Sequence, residues 1–156
     1  MPNKTDDDAV EPKTYVIFRL GDKEFGVDVM NIKEIVKVPP ITRVPRSADF
    51  IEGVINLGGS LATVINLRKR FGLEPKEINA DSRIIIAEFG DNLVGMLVDA
   101  TTEVLRIPAS NIDIEATPEM FTTEISKEYL AGVGKIENRR IILLDLKQVL
   151  TAKEGN

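Results

Sequence analysis

The sequence predicts an all-β protein built from two similar halves, and three observations lead there. Apolar residues alternate along short runs, which is the period of a strand with one buried face. Two of these runs turn at a Gly-Asp pair: "TYVIFRL" passes through Gly21-Asp22 into "EFGVDV", and "SRIIIAEF" passes through Gly90-Asp91 into "NLVGMLV". These two hairpins look like copies of each other, and the likeness continues downstream.

A shift of about 69 positions pairs Gly21-Asp22 with Gly90-Asp91, Gly26 with Gly95, Val29 with Val98 and Glu34 with Glu103. It then sets "EIVKVP" (34–39) against "EVLRIP" (103–108). A shift of about 79 lays "IEGVINLGGSLATVINLRKRF" over "LAGVGKIENRRIILLDLKQVL", placing Gly53 on Gly132, Leu67 on Leu146 and Phe71 on Leu150. The halves are therefore about 14–72 and 83–150. Each reads as about five strands ending in a short helical turn, "NLRKRF" or "DLKQVL". Five short strands with one apolar face point to a small closed barrel, because closure removes exposed edges. A barrel of about 60 residues buries too little to be robust alone. The two are thus expected to pack on each other and share apolar surface. The polar stretch "GLEPKEINADS" (72–82) is the expected boundary. Residues 1–13 are expected to be a disordered tail and 151–156 a flexible C-terminus.

Composition narrows the function. Of 156 residues, 43% are hydrophobic, enough for a folded core. The net charge of -5 disfavours binding to nucleic acid. No apolar run approaches the roughly 18 residues of a membrane span, so no direct membrane insertion is expected. The acidic start "MPNKTDDDAVEPK" is unlike a secretory leader, which makes the cytoplasm the expected location. With no Cys and no His, the chain has no thiol nucleophile, imidazole base or His/Cys metal site. No cofactor is expected.

The remaining candidates each have a plain reading and a sharper one. Gly58-Gly59 either cradles phosphate or forms a hairpin turn. Its counterpart Glu137-Asn138 favours the turn, with the glycines supplying positive φ. Asp28, Asp99 and Asp145 could serve a glycosidase, but aromatics are only 5% and Trp is absent, so capping of turns and short helices fits better. Arg68, Lys69 and Arg70 read as the basic last turn of a short helix ended by Gly72. Met120 and Phe121, adjacent in polar surroundings, fit equally a tuck into the core or an exposed anchor. A concave seam between two barrels can hold a partner helix, and Val98, Thr101 and Val104 are expected to line it.

Taken together, "FRLGDKEFGVDVMNIKEI", "ITRVP", "FIEGVINL", "VINLRKRFG" and "EYLAGVG" resemble the CheW family of bacterial chemotaxis coupling proteins over about 15–150. The resemblance implies two five-stranded SH3-like barrels on a common core and no enzymatic activity. It implies an adaptor that couples the cytoplasmic tips of chemoreceptors to the histidine kinase CheA and builds receptor arrays. By resemblance, the kinase-facing surface maps to Ile32, Glu34 and Gly53. The receptor-facing groove maps to Asn56, Leu57, Gly58, Thr101 and Val104, and a second, ring-forming surface to Phe121. One departure stands out: the family reads N-L-R-G with a later Pro, whereas this chain has "NLGG" and Thr63, so Gly58 replaces an Arg. The alternatives are an adaptor of another array, such as one controlling pili or development, and a small carboxylate-based glycosidase.

Overall fold

The computed structural model describes residues 13–121 and 127–151. Most of the expected tail (1–12) and of the expected flexible end (152–156) lie outside the described residues. In chain order the elements are β1 (Lys13–Leu20), β2 (Lys23–Asp28), β3 (Ile32–Lys37), β4 (Ile51–Leu57), β5 (Ser60–Asn66) and α1 (Leu67–Arg70). They continue with β6 (Arg83–Phe89), β7 (Asn92–Val98), β8 (Ala100–Ile107), β9 (Ile112–Asp113), β10 (Leu130–Ile136), β11 (Arg139–Leu144) and α2 (Leu146–Thr151).

The turns form as their residues dictate. Gly21 and Gly90 sit at φ 65° and 62° in the two equivalent hairpins. Each helix is opened by a side-chain cap. Asn66 Oδ1 accepts the Lys69 N–H at 3.1 Å, and Asp145 Oδ1 accepts the Gln148 N–H at 3.2 Å. Asp28 likewise accepts the Met30 N–H at 2.9 Å.

The fold is all-β as expected, in two sheets, but the two sequence halves are not the two sheets. One sheet has the order β8-β1-β2-β11-β10-β9, the other β3-β6-β7-β5-β4. The first hairpin of each half has crossed into the sheet of the other. β2 runs parallel to β11, and β7 runs parallel to β5. The two barrels are thus each built from strands of both halves, and not from 14–72 and 83–150 separately. The physical reason lies in the burial of the hairpins. β1 and β6 are apolar on both faces, and only a position between two cores covers both.

Three clusters show this directly. Tyr15 and Ile17 point into one barrel with Ile107, Ile141 and Leu143. Ile84 and Ile86 point into the other with Ile55, Ala62, Val64 and Leu97. The alternate residues Val16, Phe18, Ile85 and Ala87 face a larger cluster shared by both sheets and both helices. The shared apolar surface expected from the small size of each half is therefore the largest core of the molecule. An aromatic series crosses it: Phe18 stacks on Phe25 at 5.5 Å, Phe25 meets Phe71 at 6.1 Å, and Phe71 meets Tyr129 at 5.7 Å.

Candidate functional site

The first candidate surface lies on the five-stranded sheet, whose two edges are β3 and β4. Ile32 is half-buried at the start of β3 and packs on the shared core. Glu34 is exposed, and its neighbour Ile35 is 38% exposed, so this edge offers an apolar residue beside a carboxylate. Gly53 is different: it is buried. It sits at a bulge between Ile51 and the rest of β4, with φ 149°. The chain leaving β3 returns across it, with Thr42 and Val54 exchanging backbone hydrogen bonds of 2.9 and 2.8 Å. Gly53 can shape this surface but has no side chain to offer it.

The second group divides between the sheets. Asn56, Leu57 and Gly58 form the β4–β5 turn of one. Thr101 and Val104 lie on β8, an edge of the other. Asn56 Oδ1 accepts the Gly59 N–H at 2.8 Å, and Gly58 and Gly59 sit at φ 58° and 99°. The pair is the hairpin turn anticipated from its Glu-Asn counterpart. Nothing lies within 4 Å of where a Gly58 Cβ would be. On β8, Thr101 is half-buried and Val104 is 58% exposed.

Two expectations are corrected. Phe121 is 1% exposed and meets the Phe71 ring edge-on at 6.0 Å, so it belongs to the shared core and is not an exposed anchor. The aromatic residues drawn together between the sheets provide a better environment for the ring than water. Val98 is 2% exposed in the same cluster and does not line an open seam.

The side chains that tie the sheets together went largely unread in the sequence. Asp99 lies between β7 and β8, where the chain passes from one sheet to the other. Its Oδ2 accepts the Gly21 N–H at 2.7 Å. Arg68 of α1 donates to both Asp99 oxygens, at 2.9 and 2.7 Å, and through Nη1 to the Glu74 carbonyl at 2.6 Å. Lys76 approaches the same carboxylate at 3.7 Å. One carboxylate thus joins a hairpin, a helix and the inter-half linker. A second cluster holds β2, β8 and β11: Arg139 donates to both oxygens of Glu24, at 3.1 and 2.6 Å, and to Glu103 at 2.6 Å. The Arg139 hydrogen bond draws the Glu24 pKa below the ordinary carboxylate value, against the opposing effect of burial. Arg70 stacks over Phe50 and Tyr129, at 4.2 and 5.2 Å from the ring centroids. The basic triplet at 68–70 therefore does more than complement a helix dipole. The available signal was a break in the repeat: Arg68 falls on Lys147 and Asp99 on Met30, so this ion pair occurs once while its surroundings occur twice.

Burial tends to raise the Asp99 pKa, but the Arg68 hydrogen bonds, the Gly21 N–H and nearby positive charge together bring it below the ordinary value. A depressed folded-state pKa stabilises the fold above the unfolded-state pKa. The contribution is lost as pH falls through the folded-state value. The urea midpoint of the native chain is therefore expected to fall from about pH 4 downward. Asp99→Asn should be less stable at neutral pH and show a smaller fall over that acid range. Parallel pH profiles for the two chains would contradict the assignment.

A family model for the CheW-like domain matches residues 14–154. The chemotaxis protein CheW of Thermotoga maritima is 37% identical over 155 residues, covering 97% of this chain and 99% of the relative. That of Bacillus subtilis is 38% identical over 137 residues, covering 86% of this chain and 85% of the relative. The crystal structure of the scaffolding protein TtCheW from Thermoanaerobacter tengcongensis superposes with a TM-score of 0.81 at 36% identity, covering 93% and 96% of the two chains. The interleaved pair of β-sheets and these matches along nearly the whole sequence lead to one conclusion: the chain belongs to the family of CheW-like domains.

Proposed function

We propose that this chain is a non-catalytic chemotaxis adaptor. It works in the cytoplasm, bridges the regulatory domain of a CheA-type histidine kinase to the tip helices of chemoreceptors, and builds receptor arrays. The observation that carries this reading is the β3 edge: a terminal strand of the sheet with Glu34 and Ile35 both exposed and half-buried Ile32 packed on the shared core. Such an edge, with apolar area beside charge, suits docking against a like barrel. Gly53 lies on the other edge strand, β4, where its lack of a side chain lets the Thr42 backbone approach. Asn56, Leu57, Gly58, Thr101 and Val104 remain the receptor-facing set, with exposed Val104 as its apolar contact.

The glycosidase alternative needs a carboxylic acid with a raised pKa. Asp99 moves the opposite way, and Asp28 and Asp145 serve as caps. No helix among the described residues is long and apolar enough to cross a membrane. Backbone NMR shifts recorded on adding the kinase regulatory domain and a receptor-tip peptide separately test the proposal. Shifts centred on β3 are expected for the first and around Val104 for the second. No response to either partner would overturn it. Response to the regulatory domain of a kinase from a pili or developmental system, but not to a chemotaxis one, would instead assign the chain to that array.

The turn supplies a sharper test. Gly58 has open space around it, and its counterpart Glu137 holds φ 54° with a side chain. Gly58→Arg should therefore fold, at a cost of about 1 kcal/mol for the left-handed backbone. It restores the charged fork that the family carries there. Receptor-peptide binding is expected to tighten about tenfold, read by titration calorimetry. An unchanged affinity would show that Gly58 is not part of the receptor surface.

A further inference from the structure

The interleaving has a consequence for how two copies of this chain can combine. Residues 13–73 and 82–151 are joined by one covalent connection, yet they share four strand pairings: β1 with β8, β2 with β11, β3 with β6 and β5 with β7. Each sheet needs strands from both halves. The connection itself is light. Residues 74–81 are exposed, and among the described residues it is held by Arg68 at the Glu74 carbonyl, Lys76 at Asp99, and local bonds around Asn79 and Ser82. It also contains Pro75, which biases the preceding Glu74 toward extended backbone.

From this we propose that the chain forms a half-exchanged dimer, in which residues 13–73 of one copy complete residues 82–151 of a second, and the reverse. Every strand pairing, all three cores and the Arg68–Asp99 clamp are kept; only the route of the linker changes. The balance between closed monomer and exchanged dimer is then set by the linker alone. A short flexible linker holds its two ends at an effective concentration of roughly millimolar, and that value becomes the dissociation constant of the exchanged dimer. Exchange requires the four inter-half pairings to open, so the dimer persists after dilution once formed. Each particle carries two full sets of the β3 and β8 surfaces, fixed together through the linkers. Such a particle presents any partner of those surfaces with two sites.

The test uses the full chain with a specific protease site inserted between Glu77 and Ile78. The denatured chain is refolded at about 10 μM and at about 1 mM, then diluted and sized by light scattering. The expected result is almost entirely monomer at the lower concentration and comparable amounts of monomer and dimer at the higher one. The isolated dimer is then cut at the linker. An exchanged dimer must fall to particles of monomer mass, each holding two fragments, because the linkers alone join its two lobes. A chain that stays monomeric after refolding at about 1 mM, or a dimer that keeps its mass after complete cleavage, overturns the proposal.

Discussion

Gly53→Ala is expected to destabilise the fold by about 3 kcal/mol or more, lowering the melting temperature by roughly 6–12 °C. A Cβ at this position would stand 2.2 Å from the Thr42 carbonyl oxygen and 2.7 Å from Ile41 Cγ2, and the backbone is at φ 149°. Neither neighbour can give way cheaply. Thr42 is held to Val54 by the paired backbone bonds that bring the chain back across β4. Ile41 packs into the interior of the same barrel. The counterpart Gly132 shares φ 149°, but its nearest atoms are Ile112 Cγ2 at 3.0 Å and the Asp113 oxygen at 3.2 Å. Gly132→Ala should therefore cost measurably less in thermal or urea unfolding. Equal losses at the two sites would mean that backbone conformation, not the approach of Thr42, sets the cost. This also changes what a kinase-binding defect at Gly53 would mean. The residue is buried, so a loss of binding would report distortion of β4 and of the segment that crosses it, and should come with lower stability. Glu34, exposed on the opposite edge strand β3, can be substituted to remove a contact without that penalty.

The parts of this fold that were legible in the sequence are those determined by neighbours in the chain. Gly21-Asp22, Gly90-Asp91 and Gly58-Gly59 announce their turns because a positive φ must be supplied on the spot. Asn66 and Asp145 cap the helices that begin beside them. The repeat was legible too, since it needs only self-comparison. The crossing of the hairpins was not. A repeat records that two segments fold alike locally, and it is silent on which copy of a later strand each will pair with. The clue was present in "YVIF" and "IIIA", runs of four residues that the structure buries completely. A strand of a small solvated barrel alternates, whereas one buried on both faces does not. Arg68 and Asp99 were hidden for a related reason. They stand 31 positions apart and meet only because the linker and the crossover bring α1 to the end of β7. For the docking surfaces, the resemblance selected positions, and the structure separates them by what they can do. Glu34 and Val104 are exposed and able to touch a partner, while Gly53 acts only through the backbone.

Phe121→Ala should cost about 3–5 kcal/mol, the usual range for emptying a buried phenyl site. The ring is 1% exposed, meets Phe71 edge-on and lies in the cluster that also contains Tyr129. Phe71 in turn touches Phe25, which stacks on Phe18 of β1. A cavity at Phe121 therefore opens beside the aromatic series that joins both sheets, and the loss should appear in global unfolding rather than as local fraying. A docking residue behaves otherwise: truncation weakens the partner and leaves the free protein as stable as before. Phe121→Leu separates the two cases, because it keeps an apolar side chain in the site and should retain most of the stability. If Phe121 acts through the core, the Leu variant assembles with kinase and receptor nearly as the native chain does. The Ala variant then loses assembly and stability together. An Ala variant that melts at the native temperature yet fails to assemble would contradict the burial of this ring and restore it to an exposed ring-forming surface.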